Sequence, residues 1–120
     1  MKGKLKLNSG TTIESPLNQK TRPTKSKERE AIVNILAKDL DEASWLDLCS
    51  GSGAMGCESF QKGLKRILAV DQQRAAARIC RNNLIKVSNK FNYPFHIEVI
   101  CEEVVRFLKK GPKNKKIQFF

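Results

Sequence analysis

The sequence predicts an α/β domain built on a parallel β-sheet. Short apolar segments of the kind that form buried strands alternate with longer segments whose apolar residues recur at helical spacing. A glycine-rich turn follows the first of these strands, and acidic residues end or follow the next two. Because the carboxyl ends of parallel strands lie at one edge of a sheet, these segments are expected to converge at a ligand-binding edge.

A β-hairpin is predicted before this domain. Leucines alternate with lysines at residues 4–7, residues 8–10 are the turn formers Asn, Ser and Gly, and the strand pattern resumes at residues 11–13. We assign residues 1–24 to the hairpin and the loop after it, and residues 25–120 to the α/β domain.

Within the α/β domain, helices and strands are predicted to alternate. The helices are expected at residues 26–38, 53–62, 72–87 and 102–110, and the strands at residues 45–49, 66–71, 95–100 and 115–120. In the first helix the apolar residues at helical spacing are Ala31, Ile32, Ile35 and Leu36. In the third helix one face is formed by Ala76, Ile79, Cys80, Asn83, Leu84 and Val87.

The net charge of +11 is concentrated at the two ends of the chain. Residues 1–30 carry eight Lys or Arg against three acidic residues, residues 31–105 carry nine of each, and residues 106–120 carry six basic residues and no acid. A neutral centre with basic ends indicates a surface that meets a polyanion, although solubility alone also explains such charge. Charge by itself does not distinguish RNA from DNA or from an acidic membrane.

The composition argues against a membrane protein, a secreted protein and a metal-binding protein. No apolar run approaches the roughly 20 residues of a membrane span, and the basic N-terminus lacks the apolar segment of a signal peptide. A cytoplasmic protein without a membrane partner is therefore expected. The four cysteines include no CxxC pair and there is a single histidine, which argues against a metal site.

A glycine motif is the main candidate for a cofactor site. Gly51, Gly53 and Gly56 match the pattern GxGxxG, and Asp71 lies at the end of the next predicted strand. Taken alone, this spacing fits a dinucleotide, because glycines admit a close backbone approach and the acid accepts hydrogen bonds from a ribose.

Asp47, in the strand that leads to the glycines, argues against a dinucleotide. A carboxylate four residues before Gly51 would repel a pyrophosphate and attract a cation. S-adenosylmethionine has no phosphate, carries a sulfonium and an ammonium group, and offers a ribose to Asp71. We therefore expect the loop to bind S-adenosylmethionine, and an NAD-dependent oxidoreductase is the less favoured alternative.

Along nearly its whole length the chain resembles the bacterial 16S rRNA (guanine-N2)-methyltransferase family. The segments that carry the resemblance are, in order, "KTRPTKSKEREAIVNIL", "LDLCSGSGAMGCE", "AVDQQ" and "CEEVVRFLKK". The resemblance implies a Rossmann-like class I S-adenosylmethionine-dependent methyltransferase fold and methylation of a guanine N2 amine in small-subunit ribosomal RNA. It also implies ribosomal RNA as the partner and a monomer for the full-length form.

Site positions follow from the same resemblance. The implied cofactor-binding residues are Asp47, Cys49, Ser50, Gly51, Ser52, Gly53, Asp71, Gln72, Glu103 and Val104. The residues implied to contact RNA or cover the cofactor are Lys4, Lys6, Thr21, Arg22 and Thr24. Within this set Asp71 would hold the ribose, and Glu103 would lie near the adenine amine, where the family commonly has Asp or Asn.

One motif of the family has no counterpart here. After the fourth strand the family has an acid or Asn, two prolines and an aromatic residue, which accept the target amine and stack on the flipped base. The sequence ends at Phe119-Phe120, where that motif would begin. We therefore assign no catalytic residue and expect a chain truncated after the start of the fourth strand. The alternative is a non-catalytic RNA-binding module with a methyltransferase-like fold.

Overall fold

The structure is a computed structural model, and it describes residues 3–16, 25–41, 43–48, 50–110 and 117–119. Its secondary structure follows the predicted order closely. The helices are α1 (Ser26–Leu40), α2 (Ala54–Phe60), α3 (Arg74–Ser88) and α4 (Val104–Lys110). The strands are β1 (Gly3–Lys6), β2 (Thr12–Ser15), β3 (Ser44–Leu48), β4 (Arg66–Asp71), β5 (His96–Cys101) and β6 (Ile117–Phe119).

The predicted hairpin is formed by β1 and β2, which pair antiparallel with Leu5 opposite Ile13. Leu7 and Ile13 are almost completely buried in the core of the α/β domain, whereas the lysines of β1 point to solvent. The alternation of Leu and Lys therefore determines which face of the hairpin packs on the domain.

Strands β3 to β6 form a parallel sheet in the order β5-β4-β3-β6. Successive strands step outward from β3 through β4 to β5, and the chain then crosses to the other side of β3. The strand order reverses at β3, and sheets of this type bind ligands outside the carboxyl ends of the strands at such a reversal. The topology thus selects the loop after β3 as the place for a site.

Alternate residues of the central strands pack on opposite faces of the sheet. Trp45 and Ile67 join the larger core cluster, to which the hairpin and helices α1, α2 and α3 also contribute. Leu46 and Leu68 face the smaller cluster, which they share with Phe107 of α4. The two-sided burial explains why these strands are continuous apolar runs rather than alternating ones.

Of the apolar residues at helical spacing in α1, only Leu36 packs against the larger core cluster, and the others are exposed. Ile35 is 76% exposed and Ile32 is 39% exposed, and the residues of α1 that are buried are Arg29, Val33 and Leu40. A charged residue occupies the buried face because Arg29 Nε pairs with Glu58 Oε2 of α2 at 3.2 Å. This pair orients α1 toward α2, and the orientation leaves the isoleucines outside the core.

The Arg29–Glu58 pair also holds the hairpin. Arg29 Nη2 donates to the Lys6 carbonyl at 3.0 Å, and Glu58 accepts from the Asn8 backbone N–H at 3.1 Å and from Asn8 Nδ2 at 2.7 Å. A buried ion pair is stable only when further hydrogen bonds satisfy its remaining polar atoms, and here the hairpin supplies them. Among the described residues, no helix is long and apolar enough to cross a membrane.

Candidate functional site

The candidate site lies at the carboxyl edge of the sheet, where three chain segments meet as predicted. The loop of residues 50–53 follows β3, Asp71 ends β4, and Glu102 follows β5. Ser50 N–H donates to the Val70 carbonyl at 3.1 Å, and Glu102 N–H donates to the Asp71 carbonyl at 3.0 Å. These hydrogen bonds extend the strand ladder into the loops and fix the loops against one another.

The positions of the glycine motif need glycine for two reasons, the backbone conformation of the turn and the close packing around it. Gly51 and Gly53 have φ angles of +54° and +79°, a region that side chains with a Cβ atom seldom adopt. A Cβ atom at Gly53 would also lie 2.9 Å from Cys80 Sγ, and one at Gly56 would collide with Ile67 Cδ1 of β4. The last glycine therefore lets α2 approach the sheet, and the first two shape the turn.

Asp71 organises this turn directly. Its Oδ2 accepts the Gly51 N–H at 3.0 Å, and its Oδ1 accepts the Gln73 N–H at 2.9 Å. Both carboxylate oxygens thus bind backbone groups, and each keeps further acceptor capacity for a ligand hydroxyl. The carboxylate at the end of β4 is therefore fixed in position at the entrance to α3, where a ribose is expected.

Asp47 of β3 lies on the same face of the sheet as Trp45 and the larger core cluster, and its charge acts on the thiols of Cys57 and Cys80. Its side chain is half-buried, and the loss of water raises the pKa of Asp47 to about 7, with repulsion from the Asp71 carboxylate as the second cause. The Asp47 and Asp71 carboxyl groups therefore interact at one site, and with a pKa of about 7 the Asp47 carboxyl is partly protonated at neutral pH. A cationic ligand would offset both the desolvation and the repulsion by supplying opposite charge.

The residues present fit a small polar cofactor. Ser50 Oγ is buried beside the Cys80 thiol, with which it interacts, but it makes no hydrogen bond of regular geometry among the described residues, so it keeps bonding capacity for a ligand. The Cys80 thiol beside it is buried, and burial raises the pKa of Cys80 to about 12 and that of Cys57 still further. These two thiols are therefore neutral packing groups rather than nucleophiles.

The remaining predicted site residues lie in different environments. Gln72 and Glu103 are exposed at the same edge, and Val104 packs against the smaller core cluster. Lys4 and Lys6 are exposed on the outer face of the hairpin. Four predicted positions lie outside the described residues: Cys49, Thr21, Arg22 and Thr24. Within the described residues no group of three or more His, Cys, Asp or Glu side chains could hold a metal ion.

Asn83 is a site-supporting residue that the sequence placed only in the core face of α3. Its Nδ2 donates to the Ser52 carbonyl of the glycine loop and to the Glu14 carbonyl of β2, both at 2.8 Å. Its Oδ1 accepts the Glu14 N–H at 3.1 Å. One buried amide therefore connects the glycine loop with the hairpin. The sequence signal that could have identified this role is the Asn within the apolar face of α3, because a buried side-chain amide needs hydrogen-bond partners.

These features define a class of protein. A parallel sheet that reverses its order at β3, a glycine turn with two positive φ angles and an acid at the end of the next strand make a Rossmann-like α/β domain. The chain has the fold of S-adenosylmethionine-dependent methyltransferases, as the solved structures below show. It belongs to the protein family described as conserved hypothetical protein 95, whose family model matches residues 3–119.

Curated relatives agree with the family predicted from the sequence. YlbH of Bacillus subtilis, named as a candidate rRNA methyltransferase, is 32% identical over 106 residues, which are 88% of this chain and 55% of the relative. Ribosomal RNA small subunit methyltransferase D of Haemophilus influenzae is 28% identical over 96 residues, which are 78% of this chain and 47% of the relative. The chain thus spans about half the length of these relatives.

Solved structures share the fold. The Escherichia coli protein yhhF, described as a candidate methyltransferase, superposes with a TM-score of 0.71 at 24% identity over 88% of this chain and 56% of that chain. SMU.776, another candidate methyltransferase, was solved in complex with SAH and superposes with a TM-score of 0.62 at 15% identity. That match covers 91% of this chain and 28% of that chain. The predicted fold class is confirmed.

Proposed function

We propose that this chain is the S-adenosylmethionine-binding part of an rRNA methyltransferase that methylates the N2 amine of a guanine in 16S rRNA. One observation carries the cofactor assignment: Asp71 accepts a hydrogen bond from the glycine turn at the strand reversal, and its charge acts on the nearby Asp47 carboxyl. This pair disfavours a pyrophosphate and favours a cationic nucleoside. The rRNA methyltransferase names of the relatives support the substrate class.

Each described residue has a distinct role in this proposal. Asp71 accepts hydrogen bonds from the ribose, the buried hydroxyl of Ser50 and the loop backbone bind the methionine end, and Asp47 balances the positive charge. When bound, S-adenosylmethionine supplies an electrophilic methyl group on a sulfonium. The protein contributes chiefly by holding the cofactor in one orientation and removing water around it, so that an incoming amine is aligned for attack.

Binding is tested by calorimetric titration of the chain with S-adenosylmethionine and, separately, with NAD⁺. We expect the first to bind and the second to give no heat of binding. A complex with NAD⁺ seated in the loop of residues 50–53 would overturn the cofactor assignment.

The substrate is tested with the complete natural protein, tritium-labelled S-adenosylmethionine and 16S rRNA, either free or in small-subunit particles. We expect label in N2-methylguanine after nuclease digestion, and label in another nucleoside would refute the guanine N2 assignment. A protein that binds RNA but neither binds the cofactor nor transfers label would support the alternative of a non-catalytic RNA-binding module.

A further inference from the structure

Helix α3 carries a stripe of arginines that the proposed cofactor site does not use. Arg74, Arg78 and Arg81 are all exposed, and spacings of four and three residues place them on one face of the helix. At a rise of about 1.5 Å per residue the stripe is roughly 10 Å long. The 15 residues of α3 include no Asp or Glu. We call these three residues the arginine stripe.

The arginine stripe does not stabilise the helix. Arg74 lies in the first turn, which has no acidic residue, and the helix dipole disfavours positive charge there. Like charges at these spacings repel by about 0.2–0.5 kcal/mol per pair. The ion pairs between described residues join Arg29 to Glu58, Lys65 to Asp41 and Lys110 to Glu102, and none of them involves the stripe.

The arginine stripe begins next to the candidate cofactor site. Helix α3 begins three residues after Asp71, so Arg74 stands at the carboxyl edge of the sheet. On another side of the same helix, Lys86 Nζ donates to the Thr12 carbonyl of the hairpin at 2.7 Å. The stripe and the exposed lysines of β1 are therefore carried by two elements that pack together beside the candidate site.

We propose that the arginine stripe docks the phosphate backbone of the RNA substrate; this inference rests on the proposed function. Guanidinium groups bind phosphate oxygens in a bidentate manner, and a row of three matches a linear polyanion. The stripe carries three positive charges, so it can neutralise up to about three phosphates. The charge of the stripe suits any polyanion, so the choice of RNA follows from the proposed rRNA substrate, and a membrane or an acidic protein is an outcome of the test.

The test compares two variants that lose the same charge. R74Q/R78Q/R81Q removes the stripe, and K27Q/K38Q/K62Q removes three exposed lysines from α1 and the turn after α2. Binding of fluorescein-labelled 16S rRNA is followed by anisotropy over a series of salt concentrations. We expect the stripe variant to bind the RNA at least tenfold more weakly. The slope of log affinity against log salt concentration should become smaller by about 2, because each lost phosphate contact removes about 0.7 to 0.9 from it. The control variant should lose less than about threefold.

Two further measurements separate the possible failures. Both variants should bind S-adenosylmethionine within about twofold of the unmodified chain, since the described hydrogen bonds of Asp71 go to the backbone of Gly51 and Gln73 and not to a side chain of either set. If the two variants have equal RNA affinity and equal salt slope, the proposed role of the arginine stripe is wrong, even if the cofactor binds. Loss of binding to anionic vesicles or to an acidic peptide, with RNA binding retained, would also overturn it. Failure of the unmodified chain to bind the cofactor would count against the proposed function alone.

Discussion

The sharpest prediction concerns the proton held by Asp47. Because the pKa of Asp47 is raised to about 7 by burial and by Asp71, a cationic cofactor that requires the carboxylate must displace that proton. Affinity for S-adenosylmethionine should therefore rise with pH up to about 7 and then level off. Asp47→Asn should remove this dependence, because the amide does not titrate.

The magnitude follows from the ionised fraction. For a group with a pKa of about 7, that fraction rises from roughly 3% at pH 5.5 to roughly 50% at pH 7.0. The affinity of the unmodified chain should increase by about 15-fold over this interval. The α-amino group of the ligand titrates above it, near pH 8, and affects both proteins equally.

Calorimetry measures both the affinity and the proton release. Titrations at pH 5.5 and pH 7.0, each in two buffers with different heats of ionisation, should show release of nearly one proton at the lower pH. In Asp47→Asn the affinity should be low, independent of pH and without proton release. An affinity of the unmodified chain that is the same at both pH values would refute the electrostatic reasoning, and so would a steep pH dependence that persists in the variant.

The same proton affects stability without ligand. The folded-state pKa of Asp47 lies above its unfolded value of 3.8, so its favourable contribution is complete below about pH 4 and is lost as pH rises through about 7. The difference of about three pKa units corresponds to about 2–4 kcal/mol for this partly accessible group. Asp47→Asn should therefore raise the free energy of unfolding by that amount at pH 8, and should not raise it at pH 4. Asp39→Asn, at an exposed position on α1, is the matched control.

Three further predictions concern neighbouring contacts. Asp71→Ala removes acceptors worth about 1.5–3 kcal/mol and should weaken S-adenosylmethionine binding by roughly tenfold to a hundredfold, and unchanged affinity by calorimetry would remove Asp71 from the site. Glu58→Gln removes the carboxylate charge that pairs with the buried Arg29 Nε and should lower the free energy of unfolding in urea by about 3–5 kcal/mol; a loss no larger than that of the exposed control Glu28→Gln would contradict the role of this pair. Asn83→Ala leaves backbone groups of the glycine loop and the hairpin unsatisfied and should cost about 2–4 kcal/mol in the same assay while weakening cofactor binding, and full retention of both would show that the connection is dispensable.

Much of the fold could be predicted because its signals are local. The strand at Arg66–Asp71 was predicted to the residue, and the buried face of α3 contains every residue assigned to it. An apolar run, a helical period and a glycine turn report the backbone preference of the few residues that carry them. The convergence of three strand ends followed from the general geometry of parallel sheets, and the structure brings those ends together.

The buried face of α1 could not be predicted in this way. Its isoleucines follow helical spacing, yet the helix buries Arg29, whose partner Glu58 lies 29 residues away. A hydrophobic pattern ranks faces by their apolar content. Such a pattern contains no information about distant partners. Here the Glu58 carboxylate, which the hairpin also binds, makes burial of the Arg29 guanidinium favourable.

The sequence by itself therefore determined the class of fold, the glycine turn and the positions of the acidic side chains that we propose to select the cofactor. Only the tertiary structure decided that the pKa of Asp47 is raised to about 7, that Asn83 joins the turn to the hairpin and that three exposed arginines of α3 have no ion-pair partner among the described residues. Backbone conformation depends mainly on neighbours along the chain, whereas the charge state of a side chain and its hydrogen-bond partners depend on groups that folding brings from elsewhere.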